Sequence, residues 1–160
     1  MKCRNNHSPA PLTATRIIRM RKTTLHTHER DLRPKNGAGV SFVLQLPYPD
    51  SILSPNSPKR HWRAKQPAKE AARDEAFFKS SPFHSTFAGV QKLNLLLTIY
   101  PPDHKRRDLD NVFASMKSSI DGMCKGLGID DSQIRRVTLE WGGVVKDGAV
   151  ELELKQYRGK

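Results

Sequence analysis

Three carboxylates in a strongly basic chain have the types and spacing to do chemistry. Asp108 and Asp110 flank Leu109, and Asp130-Asp131 follows after one intervening helical pattern. Carboxylates are hard oxygen donors. They suit Mg²⁺ or Mn²⁺ rather than zinc, which favours paired Cys and His. Like charges kept this close call for a cation between them, and Lys105, Arg106 and Arg107 stand directly before Asp108. A plainer alternative stays open: Asp110 as a helix N-cap and Asp130 as a turn residue. Lys117 lies seven residues, two helical turns, beyond Asp110, so both project from one face, and Asp121 follows four residues on. Lys117 is then either half of a surface ion pair or a cation placed to stabilise charge on a phosphate.

The other cations fit a phosphate polymer. Lys59, Arg60, His61, Trp62, Arg63 and Lys65 crowd one Pro-rich loop, and Lys105, Arg106 and Arg107 adjoin the carboxylates. Such residues hold phosphates without reading bases. Trp62 offers a stacking surface for a base, with burial in the core as the alternative. His61 and His104 lack paired ligand spacing and read as solvated loop residues. Lys and Arg total 28 against 16 Asp and Glu among 160 residues, a net charge of +12. With a pI near 10.1, nucleic acid is expected ahead of an anionic membrane as partner. No run of about 18 apolar residues exists, so no membrane-spanning helix is expected. Two cysteines, Cys3 and Cys124, exclude a disulfide framework and a zinc finger. A reducing, intracellular compartment is expected.

The elements that must position these residues follow from periodicity. Residues 1–38 carry nine Lys/Arg and two acids, with only short apolar clusters. They read as a basic disordered extension without the apolar stretch of a secretory signal. Residues 39–160 read as one small domain. Val40–Leu46 is a strand stopped by Pro47, and residues 47–60 form a Pro- and Ser-rich loop. A helix is expected over 66–80, with Pro67 in its first turn. Leu93–Tyr100 alternates Leu95, Leu97 and Ile99 with Asn94, Leu96 and Thr98 as a well-buried strand. A second helix, 110–126, buries Val112, Phe113, Met116, Ile120, Met123 and Leu127, and Gly126 or Gly128 ends it. Ile134–Trp141 and Ala149–Leu154 are the last strands, joined through Gly142-Gly143 and the Lys146-Asp147-Gly148 turn. The order β-α-β-α-β-β predicts an α/β domain: one mixed sheet with its helices on one face. In such a unit the loops holding Asp108 and Asp131 meet only if residues 126–131 fold back toward 108–110, or if 108–110 run along the helix.

Pro102-Asp103-His104-Lys105-Arg106-Arg107-Asp108-Leu109-Asp110-Asn111, a helix carrying a lysine, then Gly128-Ile129-Asp130-Asp131-Ser132-Gln133 resembles the RusA family of Holliday junction resolvases. Leu46-Pro47-Tyr48-Pro49, together with Ser54-Pro55-Asn56, His61-Trp62 and Lys65, is similar to its phage-type members, and the likeness covers residues 40–156. The resemblance implies a RusA-like α/β fold and a homodimeric endodeoxyribonuclease that nicks four-way DNA junctions symmetrically with Mg²⁺ or Mn²⁺, in recombination and repair. It implies a bacterial or phage-encoded protein of the cytoplasm. Asp108, Asp110 and Asp131 match the family's metal-binding aspartates. Lys117 matches its catalytic lysine, one helical turn further from the carboxylate motif than in the best-known member. All three carboxylates are then expected to converge on one ion. The competing readings are a non-catalytic DNA- or RNA-binding protein with structural carboxylates, and a metal-dependent phosphatase on a small substrate.

Overall fold

The computed structural model describes residues 40–58 and 62–158. The extension 1–38 and the loop residues Lys59, Arg60 and His61 lie outside them. Alternating apolar residues form strands β1 (Ser41–Pro47), β2 (Leu93–Tyr100), β3 (Ile134–Trp141) and β4 (Ala149–Gln156). The sheet order is β1-β4-β2-β3. β4 is antiparallel to β1 and β2, while β3 runs parallel to β2. β1, β2 and β3 therefore share one direction, and helices return the chain between them. Pro47 ends β1, an edge strand, where its missing N–H costs no ladder bond.

Register turns the alternation into layers. Phe42, Leu154, Leu95 and Val137 lie side by side across the sheet; so do Leu44, Leu152, Leu97 and Leu139, and Leu46, Val150, Ile99 and Trp141. In β1, β4 and β2 these rows are buried beneath the helices. Each such side chain contributes about 1.5–3 kcal/mol on burial. In β3 the rows run out into solvent, with Val137 43% and Trp141 40% exposed.

Helix α1 spans Trp62–Ser80, four residues earlier than expected, so Pro67 lies inside it. As the sixth residue it is past the first turn expected for it, and it removes the N–H bond that would run back to the Arg63 carbonyl. The second helix is two: α2 (Leu109–Ser115) and α3 (Lys117–Leu127), divided at Met116 (φ −84°, ψ −5°). The Met116 N–H reaches both Val112 and Phe113 carbonyls, so the bend keeps its hydrogen bonds. Gly128, with φ 69°, ends α3, while Gly126 sits within it. The two last strands do not pair. Residues 142–148 cross the end of β2, pinned by Gly142 N–H to the Ile99 carbonyl (2.8 Å) and Val145 N–H to the Pro101 carbonyl (3.0 Å). The fold is thus a small α/β unit: a four-stranded mixed sheet with three helices against it. Among the described residues no helix is long and apolar enough to cross a membrane.

Candidate active site

Because β2 feeds α2, the Asp108–Asp110 segment sits at the carboxyl end of the parallel strands. The loop delivering it is braced. Arg107 pairs with Asp103 at 2.6 Å, donates to the Lys105 carbonyl at 2.9 Å, and lies 5.7 Å from the Tyr48 ring centre. The Lys105 N–H also donates to Asp103, at 2.9 Å. The hydrogen bond from Arg107, reinforced by that N–H, holds the Asp103 carboxyl far below the usual carboxylate range. The same bond raises Arg107. Burial pushes the Tyr48 hydroxyl up, against the pull of Arg107. Arg107 is committed to its own loop through Asp103 and the Lys105 carbonyl. Asp103 is the positioning residue that sequence reasoning passed over; its i, i+4 spacing to Arg107 was the available signal.

Asp108 takes the N-cap position of α2 (φ −95°, ψ 131°), yet its side chain caps nothing. One oxygen accepts from Asn111 Nδ2 at 3.2 Å. Asp110 stands in the first turn of α2 rather than at its cap. Both carboxylates are exposed, with oxygens open to a cation.

Asp131 is elsewhere. It opens a short 3-10 turn, Asp131–Gln133, just before β3 and therefore at the amino end of the parallel strands. Gln133 ties this turn to the Val90 carbonyl at 2.7 Å. Asp130 closes a capping box, accepting from Ser132 N–H at 2.8 Å while its own N–H donates to Gln133. The Ser132 bonds hold its carboxyl below the ordinary range. Asp130 is thus the turn residue of the plainer reading. Asp131 is exposed, but all of α3, about 16 Å at 1.5 Å per residue, separates it from α2. Among the described residues no three His, Cys, Asp or Glu side chains gather as an ion would need. The expected convergence of Asp108, Asp110 and Asp131 is not met within one chain. Residues 126–131 do not fold back, because α3 carries them to the far end of the sheet.

Lys117 opens α3 and is exposed. With Asp121 it lines a cleft against α1, together with Lys65, Lys69 and Arg73. Lys117 and Asp121 form no ion pair, so the surface-pair reading fails. Asp110 lies one turn before Ala114, which also lines the cleft, so the carboxylates stand beyond its end. Trp62 and Arg63 belong to the first turn of α1, not to a loop, and the Arg63 guanidinium stands 5.4 Å from the Trp62 ring centre. Trp62 is 63% exposed, against a packing role. Lys65 Nζ donates to the Ser54 carbonyl at 2.9 Å. Lys105 stays exposed beside Asp103 at 3.5 Å, and Arg106 and His104 face solvent.

No family model matches the chain. A Xylella fastidiosa protein described as "Uncharacterized protein" is 35% identical over 99 residues, 59% of this chain and 64% of the relative. The chain thus spans less than two thirds of that relative's length.

Proposed function

We infer that this protein is a metal-dependent endodeoxyribonuclease acting on four-way DNA junctions as a homodimer, in the manner of the RusA family it resembles. The observation that carries the reading is the pair Asp108 and Asp110: exposed, unused by capping, and presented where a braced loop enters α2 beside a cationic cleft. Their all-oxygen donor set fits Mg²⁺ or Mn²⁺. Such an ion, when bound, supplies an activated water near neutral pH and offsets charge on the phosphate. The protein's part is positioning. Asp103 and Arg107 fix the loop, Asp108 and Asp110 offer oxygens, and Lys117 holds a phosphate near them.

The third carboxylate comes from the second copy. β3 is an edge strand whose core-side residues Val137 and Trp141 stand uncovered. Two β3 edges meeting antiparallel about a two-fold axis would bring Asp131 of the partner subunit to the carboxyl end, where Asp108 and Asp110 lie. The cytoplasm of a bacterial cell, with a chromosomal or phage-borne gene, is the setting this substrate implies.

Mixed dimers test the reading. Asp108→Asn and Asp131→Asn are each expected to be inactive on a labelled four-way junction with Mg²⁺. Combined after subunit exchange, they regenerate one intact site per heterodimer and recover nicking of one strand. No recovery would reject the shared site. No Mg²⁺-dependent cleavage by the wild type would favour the binding-protein reading, to which the separation of Asp131 lends support.

A further inference from the structure

α1 and α3 lie side by side in the same direction. Toward their carboxyl ends they touch. A methyl group on Gly122 would overlap the Arg73 carbonyl, and one on Gly126 would strike the Phe77 carbonyl and Ser80 Oγ. Toward their amino ends the helices part and leave an open cleft of about 340 Å³. Lys65, Lys69 and Arg73 line one wall and Lys117 the other. The three on α1 recur every four residues, so they form one stripe with steps of about 6 Å. Neighbouring phosphates on one strand can follow such a stripe.

The charge of this cleft is largely unspent. Among the described residues Lys69, Arg73 and Lys117 form no ion pairs. Glu70 also lines it, but takes its hydrogen bond from Gln66 at 2.8 Å. Asp121 is the remaining acid. Trp62 shares a face of α1 with Gln66, Lys69 and Arg73 by its spacing, and stands exposed one turn before Gln66, which lines the cleft. Aligned cations with an aromatic surface at one end suit a strand whose phosphates are gripped and whose base stacks. A small anion would be better served by cations converging on one point.

We propose that the α1–α3 cleft is a binding groove for the phosphodiester backbone of a nucleic-acid strand, leading it toward Asp108 and Asp110. The proposal rests on the nucleic-acid reading above. Lys69 and Arg73, neither marked by sequence reasoning, are its principal contacts.

The test is binding of the full chain to a fluorescent four-way junction, followed by anisotropy in EDTA across a salt series. Lys69→Ala/Arg73→Ala removes two cations. The slope of log affinity against log salt is expected to flatten by about 1.8, at 0.9 per lost duplex contact. A wild-type slope in a variant with unchanged circular dichroism would overturn the proposal, even where wild-type cutting upholds the nuclease reading. Wild type that binds no DNA would instead overturn the nucleic-acid reading and the cleft with it. Displacement of DNA from wild type by millimolar inorganic phosphate, and not from the variant, would mark a small-anion site and reject the backbone assignment.

Discussion

At the scale of residues, the difference between Asp103 and Asp110 is one of commitment. Asp103 spends its charge on Arg107, while Asp110 is left open. Asp110→Asn keeps the shape and removes one charge. Nicking is expected to fall by about 10²–10³. Junction affinity should hold or rise, because repulsion from phosphates eases. Unchanged nicking in a single-turnover assay would contradict the role given to Asp110. Lys117→Ala separates rate from binding. Its loss should cost about 10²–10³ in rate at saturating DNA, whereas Lys69 and Arg73 variants lose affinity alone. Equal behaviour of all three would make Lys117 only another groove cation. Cys124 gives a pH signature. Burial, aided by Asp131, Asp121 and Asp130, pushes its thiol up to about 12, from an ordinary value near ~8.5. The fold disfavours the thiolate, so this contribution is complete below about pH 8.5 and is lost as pH rises toward 12. Denaturant midpoints should fall more steeply between those values in wild type than in Cys124→Ala. Parallel curves would reject the assignment.

Helices α1 and α3 owe their pairing to small residues. Ala76, Ser80, Gly122 and Gly126 bring the two backbones close, and Ser80 Oγ donates to the Ala76 carbonyl at 2.7 Å. Gly122→Ala places a methyl against fixed backbone rather than a pliable side chain. A loss of about 1–3 kcal/mol in stability is expected. Gly143, with nothing within 4 Å of an added methyl, is the control and should change little. Urea unfolding of both variants decides it, and an equal cost would mean the contact yields. The bend at Met116 belongs to this scale too. The every-third-or-fourth apolar pattern runs unbroken through Val112, Met116 and Ile120, all buried, so periodicity alone could not reveal it.

On the scale of the whole molecule, the sheet is finished on one side and unfinished on the other. Three apolar rows end at Val137, Leu139 and Trp141 on an edge strand. Val137→Glu inserts a charge into that surface without touching the buried core. It is expected to shift the protein from dimer to monomer in analytical ultracentrifugation and to abolish nicking, with circular dichroism unchanged. A variant that stays dimeric would place the interface elsewhere.

What the sequence determined by itself was local. Leu93–Tyr100 and Ile134–Trp141 were legible to the residue, because alternation and flanking turn residues act within one strand. The order of the strands, the helical stretches between them and the basic charge were equally plain. Tertiary structure decided what stands next to what. β4 lies between β1 and β2 rather than beside β3, since strand partners are chosen by burial across the whole sheet. The cleft exists because Gly122 and Gly126 let two helices touch at one end only. Asp108 and Asp131 carried the right chemistry in sequence. The crossover from β2 through α2 and α3 to β3 set them at opposite ends of the sheet, because a returning helix must span the length of the strand it follows.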